Sequence, residues 1–147
     1  MKIDTSRFGE VEVMPEQVIC FNEGLLGFGH LNKYVLLPAD NSFVFTWLQS
    51  TEDADVAFLL ADPFMFFSGY EVELDDSIRE GLQIEAEKDV VIQTIVTIPE
   101  TGVKDMTANL VGPVVINVHD KIGKQTILTQ TNYSTRHKLF ESEAGEG

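Results

Sequence analysis

Short runs of β-branched and aromatic residues, separated by turn-forming residues, recur along most of this chain. The clearest are residues 43–49, 56–61 and 90–98, and the last two stop shortly before prolines. Such runs favour strands, and many short strands at regular spacing are typical of antiparallel barrels and sandwiches. The pattern therefore predicts a mostly β fold: an antiparallel, barrel-like single domain that occupies residues 1–140.

Further strands and two hairpin turns complete this pattern. The turns are predicted at residues 6–9 and 120–123, where glycine and polar residues interrupt the apolar runs. The remaining strands are predicted at residues 9–13, 18–21, 34–37, 110–111, 114–118 and 125–129.

One short helix is predicted at residues 75–81. Asp75 can accept hydrogen bonds from backbone N–H groups as the N-cap, Asp76 favours the positive end of the helix, and Gly81 can end it. Beyond the domain, residues 141–147 carry three glutamates and almost no apolar side chain, so we expect a disordered acidic tail there.

Acidic residues are concentrated in the first two thirds of the chain. Residues 1–100 contain 19 Asp or Glu and 5 Lys or Arg, whereas residues 101–147 contain 5 of each, so the whole net charge of −14 belongs to the first part. Such a field repels nucleic acid and anionic membranes and speeds the encounter with basic proteins. The alternative is that the charge only keeps an aromatic-rich protein in solution.

Composition excludes several kinds of site. Cys20 is the only cysteine, so no internal disulfide can form, and three scattered histidines cannot complete a structural zinc site. The ten basic residues form no stripe that would bind RNA or DNA. The N-terminus lacks a signal peptide, and no apolar run is long enough to span a membrane. We therefore expect a cytoplasmic protein that is monomeric when free and needs no metal or cofactor.

Residues 58–76 combine aromatic with acidic side chains. Five aromatic residues and a methionine lie between residues 58 and 70, and strand alternation can bury only about half of such a run on one face. Either both faces are covered within the fold, or some of the rings contact a partner. As candidate partner-binding residues we take the acidic rim, Glu71, Glu73, Asp75 and Asp76, with Phe66 and Tyr70 as apolar anchors.

The same carboxylates allow an alternative function of a different class. Glu71 and Glu73 would share one face of an extended segment, and a carboxylate cluster can raise one pKa for acid–base catalysis. A small β-barrel that binds a ligand or performs hydrolysis would use this cluster together with His119. The chain has no Gly-x-Ser-x-Gly motif and no second half of a catalytic constellation, so we favour a binding function and assign no catalytic residue.

The order of short motifs along the chain resembles the FliW family of bacterial flagellar assembly factors. Each motif is weak alone, but together they cover nearly the whole chain in the order and spacing of the family. The motifs are Phe21-x-x-Gly24-Leu25-x-Gly27-Phe28, Trp47-Leu48-Gln49-Ser50, Ala57-Phe58-x-x-Ala61-Asp62-Pro63-Phe64, Tyr70-Glu71-Val72-Glu73-Leu74, Asn109-Leu110-x-x-Pro113-Val114-Val115-Ile116-Asn117, Gly123-Lys124-Gln125 and Tyr133-x-x-Arg136-His137.

This resemblance implies a regulatory, non-enzymatic protein with a compact, mostly antiparallel barrel-like fold. FliW proteins bind flagellin in the cytoplasm, and they also bind the RNA-binding translational repressor CsrA. When flagellin is scarce, free FliW captures CsrA and relieves the repression of flagellin mRNA. When flagellin accumulates it occupies FliW, and CsrA is released. The resemblance implies that FliW antagonises CsrA allosterically rather than by mimicking RNA.

Five residues of these motifs are assigned structural roles. We place Trp47 in the core and treat Gln49 as a structural residue of the same motif. For Asn109, Asn117 and Gln125 we favour side-chain amides that satisfy backbone groups at bends over side chains that contact a partner.

Overall fold

The computed structural model describes residues 1–39, 44–129 and 132–139. Strands make up most of the regular structure, as the sequence pattern predicts. In chain order they are β1 (Lys2–Thr5), β2 (Gly9–Glu12), β3 (Ile19–Cys20), β4 (Lys33–Pro38), β5 (Phe45–Ser50), β6 (Ala57–Ala61), β7 (Val90–Thr97), β8 (Thr107–Ala108), β9 (Val114–Asn117), β10 (Ile122–Gln125) and β11 (His137–Lys138).

Seven of these strands close into a barrel. Their order is β7-β6-β5-β4-β3-β10-β9, and β9 pairs back onto β7 to complete the circle. Strand β7 can close the barrel because it is eight residues long: residues 90–93 pair with β9, and residues 94–96 pair with β6. Neighbouring strands are antiparallel except β3 and β10, which run parallel where Cys20 faces Ile122. The predicted mostly β, barrel-like fold is confirmed, with this one parallel pair inside it.

Inward-facing side chains fill the barrel. Tyr34, Leu48 and Leu60 have no exposed surface, and they belong to one buried cluster with Phe21 and Ile116. The rings of Phe21 and Tyr34 meet edge to face, with their centroids 5.4 Å apart. A small barrel filled by large side chains in this way is a packed core rather than a channel.

Two short α-helices follow β6, namely α1 (Pro63–Phe66) and α2 (Asp76–Gly81). Helix α2 confirms the helix predicted at 75–81, and the Asp75 carboxylate accepts a 2.9 Å hydrogen bond from the N–H of Ile78 as its N-cap. Its end differs from the prediction, because Gly81 is the last helical residue and the left-handed backbone comes at Gln83 (φ 55°). The prediction of one helix was incomplete, since the single turn of α1 is too short to give a periodic signal. Among the described residues, no helix is long and apolar enough to cross a bilayer.

Three segments cover the outer face of the barrel. The β1–β2 hairpin packs Ile3 against Val35 of β4, and helix α2 packs Ile78 against Val115 of β9. The third layer consists of residues 64–72 and 133–139, and it covers β6, β7 and β8. Strand β9, below α2, is buried on both faces, so it has a continuous apolar run rather than alternation.

Two predicted strands are wrong in position. The strand predicted at 110–111 lies instead at Thr107–Ala108, because the Asn109 carboxamide then bends the chain by accepting from the next backbone N–H groups. The strand predicted at 125–129 is centred earlier, at Ile122–Gln125. Strand β10 includes a glycine because a Cβ on Gly123 would collide with the ring of Phe21.

The other predicted strands and the hairpin turn at 6–9 are confirmed where the structure describes them. The turn at 6–9 joins β1 to β2. The turn predicted at 120–123 lies two residues earlier: residues 118–121 join β9 to β10, with a positive φ at Lys121, and Ile122 and Gly123 already pair with β9. Residue 43 of one predicted strand lies outside the described residues, and so does the tail predicted to be disordered at 141–147.

Candidate protein-binding site

The segment between α1 and α2 presents the acidic rim. It is extended, and its exposure alternates: Glu71, Glu73 and Asp75 are exposed, whereas Val72 and Leu74 are half-buried. Val72 packs on the core below β6 and β7, and Leu74 packs on the core below α2. Because the two apolar side chains fix one face of an extended segment, its carboxylates must point to the other face.

These three carboxylates line a cleft of about 560 Å³. The structure therefore brings three of the four residues of the acidic rim together, while Asp76 lies on the first turn of α2 outside the lining. None of the lining residues in the described part of the chain is basic. The opposite wall consists of residues 126–129 with Asn132 and Tyr133, and Ile78 completes the lining.

Tyr70 is not an exposed anchor. Its side chain is 4% exposed, its ring lies 4.8 Å from that of Tyr133, and its hydroxyl donates to the backbone carbonyl of Leu110. Burial raises the pKa of Tyr70 above the ordinary value for a phenol. The Tyr133 hydroxyl in turn accepts a 3.0 Å hydrogen bond from the backbone N–H of Glu71, so the pair of rings holds the start of the acidic segment.

Most of the aromatic run covers the barrel. Phe66 is half-buried, stacks on Phe45 at 5.9 Å between centroids, and packs on the outer core with Phe67. The apolar side chains that do face water here are Phe64, 45% exposed, and Met65, 63% exposed. Sequence reasoning missed them because a one-turn helix replaces the strand alternation that would have assigned faces.

His119 does not join the carboxylates of the acidic rim. His119 lies on the turn that follows β9, and its side chain is 64% exposed. Its Nε2 lies 3.0 Å from Oδ1 of Asp89. A hydrolytic site built from His119 and the acidic rim would need a contact between the imidazole and one of the rim carboxylates, and the structure has no such contact among the described residues. Among the described residues, no group of three or more His, Cys, Asp or Glu side chains is arranged to hold a metal ion.

A second, smaller cavity of about 220 Å³ opens between inward-facing residues of the barrel strands and α1. Its lining is mostly apolar and includes Leu36, Val91 and Met65. Among the described residues of its lining, Asp62 is the one carboxylate, and it accepts a 2.9 Å hydrogen bond from the N–H of Phe64 as the N-cap of α1. This carboxylate is thus engaged in a structural contact.

Comparison with known proteins identifies the family of this fold. A family model described as FliW protein matches residues 2–139. The chain belongs to the FliW family. The flagellar assembly factor FliW of Moorella thermoacetica is 44% identical over 141 residues, which cover 96% of this chain and 89% of that protein. The flagellar assembly factor FliW of Anoxybacillus flavithermus is 47% identical over 95% of both chains.

A solved FliW structure has the same architecture. The crystal structure of the flagellar assembly factor FliW matches this chain with a TM-score of 0.90 and 41% identity, and the match covers 97% of this chain and 99% of that one. The resemblance drawn from motif order is confirmed. The name that the FliW relatives share describes a part in assembly of the flagellum rather than a reaction.

In this FliW-family chain the signature amides bond to backbone groups. Asn117 is 1% exposed; its Nδ2 donates to the carbonyls of Leu82 and Gln83 at 2.6 and 3.3 Å, and its Oδ1 accepts from the N–H groups of His119 and Asp120. One buried side chain thus joins the end of α2 to the β9–β10 turn.

Two further FliW signature amides tie loops to the barrel. The Gln125 carboxamide accepts from the N–H of Leu26 at 3.0 Å and donates to the carbonyl of Gly112 at 2.9 Å. Gln49 is fully buried, and its Nε2 donates to the carbonyls of Ser50, Ala54 and Val56 at 3.0–3.3 Å.

Trp47, the remaining signature residue, is half-buried rather than enclosed. Its ring packs on the outer core that covers β6 and β7. The guanidinium carbon of Arg7 lies 3.7 Å from the ring centroid, which is a cation–π contact between the first hairpin and the barrel.

Proposed function

We propose that this FliW-family protein is a non-enzymatic, cytoplasmic regulator that binds flagellin and also binds and antagonises the translational repressor CsrA. Family membership over residues 2–139 supports the proposal most strongly, because the relatives are named flagellar assembly factors and the resemblance implies both partners.

The proposed regulation is a partner switch. When flagellin is scarce, the free protein captures CsrA, and translation of flagellin mRNA is relieved of repression. When flagellin accumulates, it occupies the protein and CsrA returns to the mRNA. The rate of flagellin synthesis would then match the rate at which assembly of the flagellum uses up free flagellin.

The acidic rim is the proposed contact for a basic partner. Glu71, Glu73 and Asp75 line one cleft without any basic residue among its described lining, in a chain of net charge −14. A negative surface attracts a basic RNA-binding protein and repels the RNA that the protein carries. The exposed ring of Phe64 and the exposed side chain of Met65 offer apolar area on α1 itself.

Size-exclusion chromatography of purified components tests the proposal. We expect a 1:1 complex of this chain with flagellin, a complex with CsrA, and displacement of CsrA when flagellin is added. Absence of both complexes would refute the proposal. A complex with flagellin alone would reduce the function to that of an export chaperone that does not control translation.

A further inference from the structure

The wall of the cleft opposite the acidic rim has an unpaired backbone edge. After β10 ends at Gln125, the chain stays extended and continues the ladder, since the N–H of Thr126 donates to the carbonyl of Pro113 at 3.0 Å and that of Leu128 to Val111 at 2.7 Å. Hydrogen-bonding groups alternate in direction along such a strand. The backbone N–H and C=O groups of Ile127 and Thr129 therefore point away from this ladder, and they have no hydrogen-bond partner among the described residues.

The acidic segment offers a second unpaired edge to the same cleft. The N–H of Glu71 donates to Tyr133, which lines the cleft, and the N–H of Glu73, on the same side of the extended segment, donates to nothing within the described ranges. Two extended segments thus flank a cleft of about 560 Å³ with free backbone donors and acceptors on both sides. Exposed strand edges of this kind are templates for pairing with another chain.

The spacing of the carboxylates along the acidic segment indicates which kind of peptide the cleft can bind. Carboxylates at positions 71, 73 and 75 recur every second residue, which corresponds to about 7 Å along an extended chain. Only a segment that is itself extended presents cations at the same repeat while its backbone reaches both edges. Ile127, 48% exposed on the facing wall, can contact an apolar or threonine side chain between the cations.

We propose that this cleft binds an extended peptide segment of a protein partner, with Lys or Arg at every second position, as an added β-strand. The proposal rests on the proposed function, since it names the chemistry of the partner segment that the acidic rim would take. Backbone pairing would provide affinity, and the alternating carboxylates would select the charge and the register.

A labelled peptide of four Lys-Thr repeats is the probe, with binding measured by fluorescence anisotropy. We expect saturable binding, and loss of binding when Lys is replaced by Glu or when alternate backbone amides of the peptide are N-methylated. Equal binding by the N-methylated peptides would overturn the proposal, because charge alone would then explain the affinity.

A matched pair of charge variants locates the site. E71Q/E73Q should weaken binding about fivefold or more, whereas E10Q/E12Q should have little effect. The control removes two exposed glutamates at the same spacing from β2, which lies outside the cleft lining. Equal loss in both variants would overturn the proposal.

Amide hydrogen exchange followed by NMR tests the backbone pairing directly. Exchange at Ile127 or Thr129 should slow when the Lys-Thr peptide is added, and unchanged exchange at both would overturn the proposal. If the peptide does not bind while CsrA does, the added strand is refuted and the proposed function stands. If CsrA and flagellin also fail to bind, the proposed function fails with it.

Discussion

The hydroxyl of Tyr70 donates a 2.7 Å hydrogen bond to the backbone carbonyl of Leu110, in a part of the core where both residues are at most 4% exposed. Tyr70 directly precedes the acidic segment, and Leu110 lies in the bend before β9. The placement of the candidate binding surface therefore depends on a buried contact between two segments 40 residues apart.

Replacement of Tyr70 by phenylalanine should lower the free energy of unfolding by about 1–3 kcal/mol, because the Leu110 carbonyl would remain buried without a donor. Urea unfolding followed by circular dichroism measures the loss. Tyr34→Phe is the control: its hydroxyl is buried with no partner among the described residues, so its removal should be neutral or stabilising. Equal losses in the two variants would contradict the assigned role of the Tyr70 bond.

Gly123→Ala should lower the free energy of unfolding by about 1–3 kcal/mol, because the added methyl group must displace the buried ring of Phe21. Gly81→Ala adds the same methyl group at the last residue of helix α2, where no atom beyond the chain neighbours and the helix backbone lies within 4 Å. It should be neutral or stabilise by up to about 1 kcal/mol, through higher helix propensity. Thermal unfolding of the two variants compares them, and a stable Gly123→Ala protein would argue against close packing at this point of the barrel.

Glu52 should contribute one component of the pH dependence of the free energy of unfolding. Its carboxylate accepts from the N–H groups of Asn32 and Lys33 at 2.7 and 2.9 Å, and these bonds hold the pKa of Glu52 below its ordinary value of 4.5. Because the folded-state pKa is lowered, the stabilisation is complete above pH 4.5 and is lost as the pH falls through the folded-state pKa.

Urea unfolding of Glu52→Gln at several pH values tests this component. The variant should be less stable than the parent at pH 7, and the difference should shrink as the pH falls below 4.5. Glu100→Gln, at an exposed turn, is the control and should leave the stability at pH 7 unchanged. A constant difference between parent and Glu52→Gln across this range would contradict the assignment.

Neutralisation of the acidic rim should slow association with CsrA. Removal of four charges from one surface is expected to reduce the association rate about tenfold at low ionic strength and to flatten its dependence on salt. Asp75→Asn keeps an N-cap for α2, so the fold should persist. The variant is E71Q/E73Q/D75N/D76N, and the control with the same net charge is E10Q/E12Q/E16Q/E100Q.

Stopped-flow association kinetics at low and high ionic strength distinguish these two variants. If both reduce the rate equally, overall charge steers the partner and the acidic rim has no special part in it. If neither variant reduces the association rate, the prediction that the acidic rim steers the partner electrostatically is wrong.

The sequence by itself determined the elements that depend on local signals. Strand alternation, β-branched runs and turn residues predicted a mostly β barrel, and the Asp75 cap predicted α2, because these preferences act between residues a few positions apart. The order of motifs was enough to identify the family. The carboxylates at 71, 73 and 75 could likewise be assigned to one face from their spacing alone.

Only the tertiary structure decided which of these features meet. Tyr70 is buried and Phe64 exposed because residues 64–72 and 133–139 cover β6 and β7, a contact that no local pattern encodes. The closure of the barrel through β7 and β9, and the cleft between residues 71–75 and 126–129, likewise join segments far apart in the chain. Burial and strand pairing of this kind are set by the packing of the whole domain. The sequence can therefore indicate which residues share a face, but only the tertiary structure shows which other segments lie opposite them.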